Sequence, residues 1–297
     1  MRIRSRRGFI IEGFSAVGAA ALAEAGAGSQ SLQSVAPAPK FKLGLVTYNL
    51  AKDWDIETII KNCEATGFEG VELRTTHAHG VEPSISQSKR AEVRKRFEDS
   101  KVKLVSLGTA CEFQSPDDAV VRKNVDLTRQ FCELARDLGC LGVKVRPNGF
   151  PPDSNHEKVL AQIGHALAEC GEIAQSRGVE IWLEVHGRET QLPSNIRRIM
   201  EACGQPAVGV CWNSNPTDVA NGSVKANFEL LKPWLRSCHI TNLESAGYPW
   251  HELFTLFREA GYSRYTFCEV GEPSCEPVRF MNYYRALWDY TAGIGRP

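Results

Sequence analysis

The chain has 297 residues, 42% of them hydrophobic and 24% charged, enough apolar material for a full globular core at the size of one large α/β domain. Its 35 basic and 35 acidic side chains cancel, so no electrostatic surplus draws it onto nucleic acid, where neutralising the phosphate backbone dominates affinity. No nucleic-acid partner is therefore expected. The ten cysteines are scattered without a CxxC pair, and Cys140, Cys211, Cys238 and Cys268 fall in or beside apolar strand-like runs. Buried free thiols are expected, not a disulfide framework or a cysteine–zinc centre.

The chain opens on a basic stretch whose Ser5-Arg6-Arg7-Gly8-Phe9-Ile10 resembles a twin-arginine export signal. An Ala/Gly-rich apolar run follows, with Ala23-Glu24-Ala25 or Ala25-Gly26-Ala27 as a small-x-small cleavage site. Glu12 and Glu24 interrupt that run, so it makes a poor membrane span. Pro37 and Pro39 mark a linker. Residues 1–40 are thus expected to be signal and linker and 41–297 the folded domain, exported and periplasmic, with no stable membrane insertion.

From Phe41 onward, apolar runs alternate with amphipathic stretches. Strands are predicted at 42–48, 70–74, 103–107, 142–146, 180–186, 207–212, 237–241 and 265–270, most bounded by Gly, Pro or polar residues. Helical periodicity appears between them, as at 56–66, 89–99, 119–138 and 157–177. Within 119–138 the apolar positions Val120, Leu127, Phe131, Leu134 and Leu138 recur at helical spacing. Strands start roughly 25 to 40 residues apart, the length of a β-loop-α-loop unit. Eight such units in strict alternation predict an α/β fold, a (β/α)₈ TIM barrel. A doubly wound open sheet usually has a glycine-rich loop after its first strand, whereas this chain has Thr47-Tyr48-Asn49-Leu50.

In such barrels, functional side chains sit at the C-terminal strand ends. The fifth predicted strand ends Leu183-Glu184-Val185-His186, the sixth Cys211-Trp212-Asn213, the seventh contains His239 and the eighth ends Cys268-Glu269-Val270. Four consecutive strands therefore deliver two carboxylates, a carboxamide and an imidazole to one rim. Two ionised glutamates this close call for a cation between them. Glu184, Asn213, His239 and Glu269 form an oxygen-rich set with one imidazole that suits Mn²⁺, Mg²⁺ or Co²⁺, and also accommodates Zn²⁺. Arg146, ending the fourth strand, is placed either to bind a substrate oxygen or to pair with a rim carboxylate. His77 and His79 lie on the loop after the second strand, and His79 is the weaker substrate-binding candidate. Glu184 has Arg188 nearby in sequence as an alternative ion-pair partner.

These strand ends resemble the xylose-isomerase-like barrels that include sugar epimerases, hydroxypyruvate isomerases and inosose dehydratases, over nearly the whole chain from Phe41. Glu184 matches the "LExH" strand end, His239 the imidazole of "HxKD", and Glu269 the last carboxylate ligand. Two departures stand out. Asn213 replaces the usual aspartate ligand, with Pro216 where a histidine usually follows, and Thr241 and Asn242 replace the lysine and aspartate of "HxKD". The resemblance implies one divalent metal and a small carbohydrate substrate, with Glu184 and Glu269 as the catalytic acid–base pair and His186 on a substrate hydroxyl. The implied reaction is isomerisation or epimerisation of an unphosphorylated sugar or keto-polyol through an enediolate. The alternative is a dehydratase or lyase acting on a keto-sugar, keto-inositol or oxidised glycoside. A sugar-binding barrel with weakened activity and apurinic-endonuclease-type phosphodiester cleavage rank lower, and a homo-oligomer is compatible with the sequence.

Overall fold

The computed structural model describes residues 40–271 and 275–294, in which strands and helices alternate along the chain. The strands are β1 (Lys42–Val46), β2 (Gly70–Arg74), β3 (Lys103–Glu112), β4 (Gly142–Arg146), β5 (Glu180–Glu184), β6 (Val208–Asn213), β7 (Leu235–Ile240) and β8 (Tyr265–Cys268). The helices are α1 (Tyr48–Ala51), α2 (Ile56–Thr66), α3 (Gln87–Glu98), α4 (Asp118–Leu138), α5 (His156–Gln175), α6 (Pro193–Cys203), α7 (Lys225–Leu231), α8 (Trp250–Glu259) and α9 (Pro277–Thr291). Each strand pairs in parallel with the next and β8 returns to β1, closing an eight-stranded barrel. Parallel neighbours need crossovers, which the helices supply outside the sheet.

Local chemistry sets the helix ends. The Asp55 carboxylate accepts from Thr58 N at the start of α2, and Gly67 closes that helix at φ 74°. Ser86, Asp117 and Asn155 cap α3, α4 and α5 in the same way. Helix α4 buries Val125, Phe131, Leu134 and Leu138, whereas Val120 stays 40% exposed, so the apolar stripe begins one turn later than its spacing suggests.

Inside the barrel, Val46, Val105, Trp182, Cys211 and Phe267 form their own cluster. The lack of a side chain at Gly142 leaves the room that the Trp182 indole fills, and Gly44 does the same for Phe267. Beneath this layer, Glu180 accepts from Trp182 Nε1 at 2.7 Å and from Arg264 Nη2 at 2.6 Å. These residues fill the N-terminal end of the barrel.

Several strand ends differ from expectation. Strand β1 stops at Val46, because Tyr48 already begins α1, and β3 runs on to Glu112, where it pairs with Arg146 after a register shift. Strand β5 ends at Glu184, because Gly187 turns the chain at φ 93° against the Asn148–Gly149 backbone. All ten cysteines are free, nine of them buried. The expected export signal lies outside the described residues. Among the described residues, no helix is long and apolar enough to cross a membrane.

Candidate active site

Alternation along each strand decides which side chains meet inside the barrel, since residues two apart share a face. On β2 that face carries Glu72 and Arg74, on β4 Lys144 and Arg146, and past β5 it continues from Glu184 to His186. It also holds Asn213, His239 and, just beyond β8, Glu269. Glu72 and His239 are fully buried, Lys144 and Glu184 are 2% exposed and Asn213 7%.

Glu184, His239 and Glu269 converge. Each offers one ligand atom, and these atoms lie within 4.8 Å of one another. His239 Nδ1 stands 3.5 Å from Glu184 Oε1 and 3.3 Å from Glu269 Oε2. Its other nitrogen, Nε2, faces Glu72 Oε1 at 3.2 Å, and Ser106 Oγ donates to Glu72 Oε2 at 2.8 Å. Gly108 leaves the space for this carboxylate: a Cβ there would stand 2.8 Å from Glu72 Oε1. Lys144 Nζ donates to Glu184 Oε2 at 2.6 Å, leaving Oε1 toward His239. The Asn213 amide lies beside it, with Nδ2 3.4 Å from Glu184 Oε1.

Burial alone would raise the Glu184 pKa, but the Lys144 ammonium and His239 outweigh it and hold the carboxyl well below its ordinary value. Burial likewise works against the Lys144 charge, and Glu184, Glu72 and Glu269 together raise its pKa. For His239, burial opposes a charge, while Cys211, Glu269 and Glu72 push its pKa well above the usual value. His186 is lowered by burial, which favours its neutral form.

A divalent cation fits this donor set. His239 Nδ1 and Asn213 Oδ1 are buried atoms with no hydrogen-bond partner, the condition a bound cation relieves. Carboxylate, imidazole and carboxamide are all ligand types for such ions. Glu72, behind the imidazole, occupies the position of a carboxylate that orients a ligating histidine.

Above the cluster lies a cavity of about 300 Å³, lined by Tyr48, Arg74, Arg146, His186, Gln191, Asn215 and Thr241 together with Lys144, Glu184, Asn213 and Glu269. The loop after β6 is firmly tied. Asn215 Nδ2 donates to Val185 O at 2.6 Å, and Asp218 Oδ2 accepts from Asn215 N at 2.8 Å and from the Tyr248 hydroxyl at 3.0 Å. Tyr248 in turn accepts from Trp212 Nε1 at 3.0 Å. Burial raises the Asp218 pKa to about 7.

Of the residues singled out in the sequence, Glu184, Asn213, His239 and Glu269 meet, and His186 and Arg146 line the cavity above them. His79 does not join them. Its Nε2 bonds to Arg74 O at 2.8 Å and its Nδ1 accepts from Val81 N at 3.0 Å, so both ring nitrogens serve the loop backbone. Arg188 does not pair with Glu184 either: it lies 3.7 Å from Glu189, and the partner of Glu184 is Lys144. Sequence reasoning passed over Glu72 and Lys144. The signal for both was alternation, since each lies two residues before an arginine that ends its strand.

Fold and site together define a (β/α)₈ barrel with a polar cavity over an acid–histidine cluster at the C-terminal strand ends. The family model described as "Xylose isomerase-like TIM barrel" matches residues 60–284, and the chain belongs to that family. A sequence search of curated proteins finds no match. Among solved structures, L-ribulose 3-epimerase superposes with a TM-score of 0.72 at 16% identity, over 85% of this chain and 94% of that one. The IolI protein with a bound zinc atom gives a TM-score of 0.71 at 16% identity, over 85% of this chain and 98% of its own. The 3-keto-D-glucoside 4-epimerase from E. coli gives 0.70 at 14% identity, over 84% and 98%. At these identities the likeness is one of fold.

Proposed function

We propose that the protein is a metal-dependent isomerase or epimerase acting on a small unphosphorylated sugar or keto-polyol. The observation that carries this reading is the convergence of Glu184, His239 and Glu269, from three neighbouring regions of the barrel, beneath a cavity of about 300 Å³. That volume is at the small end for ligand sites and suits a monosaccharide-sized molecule. Glu184, His239, Glu269 and the Asn213 carbonyl oxygen would hold the cation, which when bound supplies Lewis-acid stabilisation to negative charge on substrate oxygens.

The remaining chemistry belongs to the chain. Glu184 and Glu269 accept and return the proton on the carbon beside the carbonyl, the pair of acid–base groups that epimerisation requires. Lys144 keeps Glu184 ionised and fixes one of its oxygens. His186, neutral through burial, is suited to hydrogen-bond a substrate hydroxyl. The filled N-terminal end of the barrel keeps exchange with solvent to the opposite mouth.

A keto-sugar panel in heavy water tests this reading. Deuterium should enter the substrate at the carbon beside the carbonyl, and Glu184→Gln and Glu269→Gln should each lose the incorporation. Exchange without change of mass beyond the label assigns an isomerase or epimerase; loss of water or of an aglycone assigns the lyase reading, which the same acid–base pair serves. No incorporation by the metal-loaded protein on any member would contradict both. Export by the twin-arginine route belongs to the same proposal and is tested by fractionating cells that express the full chain and an Arg6→Lys, Arg7→Lys variant.

A further inference from the structure

Three cationic side chains line the cavity: Arg74, Lys144 and Arg146. Lys144 is committed to Glu184. The arginines are not so committed. Arg74 lies over the Tyr48 ring, its guanidinium carbon 5.2 Å from the ring centroid, and among the described residues no carboxylate is within ion-pair distance of it. Arg146 has Glu112 as its nearest carboxylate, with Nη2 to Oε2 at 3.8 Å, too long for a hydrogen bond. Its Nε is buried and has no hydrogen-bond partner, and neither does that Glu112 oxygen. A half-buried guanidinium whose buried Nε is an idle donor, facing a cavity, is a group awaiting an acceptor.

The charge balance points the same way. Against the three cations stand the cavity carboxylates Glu184 and Glu269, with Glu72 beneath and Glu112 beside Arg146. With a divalent cation seated at the Glu184–His239–Glu269 cluster, one positive charge is left over. Asn213 is the reason, since a carboxylate there would cancel it. A surplus of one charge matches a monoanion, whereas a phosphate monoester brings about −1.5 to −2 at neutral pH. Arginine's planar fork also fits a carboxylate in two-point contact.

We propose that the substrate is a sugar acid: a monosaccharide-sized polyol bearing a carboxylate, which Arg74 and Arg146 hold at the mouth of the cavity while the rest of the molecule reaches the Glu184–Glu269 cluster. This deepens the isomerase reading and rests on it for the reacting end of the molecule. The neutral sugar of that reading is replaced by an unphosphorylated acid, whose carboxylate the two arginines hold.

Binding, not turnover, tests it. The full chain in Mn²⁺-containing buffer is titrated calorimetrically with matched pairs, D-glucuronate against D-glucose and D-gluconate against D-glucitol, and with D-glucose 6-phosphate. At least one acid should bind about tenfold or more tightly than its neutral partner and more tightly than the phosphate. That advantage should fall about tenfold in Arg146→Gln and Arg74→Gln, with Arg146→Lys retaining part of it. If no acid outbinds its neutral counterpart, or the phosphate binds best, the proposal is overturned by the unmodified protein alone. An acid advantage that persists unchanged in both glutamine variants also overturns it, because the metal and not the arginines then holds the anion. Deuterium exchange is scored separately: acids that bind without exchanging would sink the isomerase reading and leave the anion site standing.

Discussion

Lys144 and Glu72 each sit two residues deeper than an arginine that lines the cavity, and the site depends on both. Lys144 Nζ makes the shortest charged contact with the buried Glu184, at 2.6 Å, with His239 Nδ1 at 3.5 Å on the other carboxylate oxygen. Removing it as Lys144→Met leaves that buried carboxylate without its closest counter-charge, a loss on the order of 3–5 kcal/mol. Urea unfolding measures it, and saturating Mn²⁺ should recover part of the loss by supplying the missing positive charge; equal stability of variant and parent would show that the pair is not buried as described. Glu72 faces His239 from behind. Glu72→Gln should weaken divalent-metal binding roughly 10- to 100-fold, the usual cost of losing the group that orients a ligating histidine, with little change in the fold. Neither residue was visible from strand-end motifs. The motifs mark the last residue of a strand, whereas these two are set by the period of two within it, and a glutamate or lysine inside a short apolar run reads as an interruption until its partner across the barrel is known.

The segment after β6 shows how an element holds the site. Asn213 and Asn215 reach the cavity because Asp218 gathers the Asn215 backbone N–H and the Tyr248 hydroxyl on one buried oxygen. Burial raises its pKa from 3.8 to about 7, so between those values the folded protein keeps a proton that the unfolded chain has released. Stability contributed by this group is full below about pH 4 and is lost as pH rises through 7, at up to about 1.4 kcal/mol per pH unit. Asp218→Asn should remove that decline, and the difference in unfolding free energy between parent and variant across pH 4 to 8 measures it. A difference independent of pH would contradict the assignment. In the sequence, Asn213 was legible and this support was not, because Tyr248 lies 30 residues further on, in the segment leading into α8. The strands at 70–74 and 142–146 and the helix at 56–66 could be placed to the residue, since Gly and polar neighbours bound the strands and Asp55 and Gly67 the helix. Where backbone turns decide the end, as at Gly187, composition gives no boundary.

At the scale of the whole molecule, closure joins the first strand to the last. Trp288 on α9 packs edge-on against Phe41, with ring centroids 5.8 Å apart, and donates its indole N–H to Thr266 Oγ1 on β8 at 3.0 Å. Trp288→Ala should cost about 3–5 kcal/mol by opening this seam, read as a lower urea midpoint. The barrel itself was legible because eight strand–helix units in alternation leave few other ways to bury both faces of a parallel sheet. The cavity's charge was not, because the net charge of the chain is zero and only closure brings Arg74, Lys144 and Arg146 to one mouth. The account rests on one divalent cation being held where Glu184, His239 and Glu269 meet, and calorimetric titration of the metal-stripped full chain with Mn²⁺ tests it most directly. One ion per chain should bind, and His239→Ala and Glu269→Ala should each weaken it by about a hundredfold or more. No binding, or binding that both substitutions leave unchanged, would contradict it.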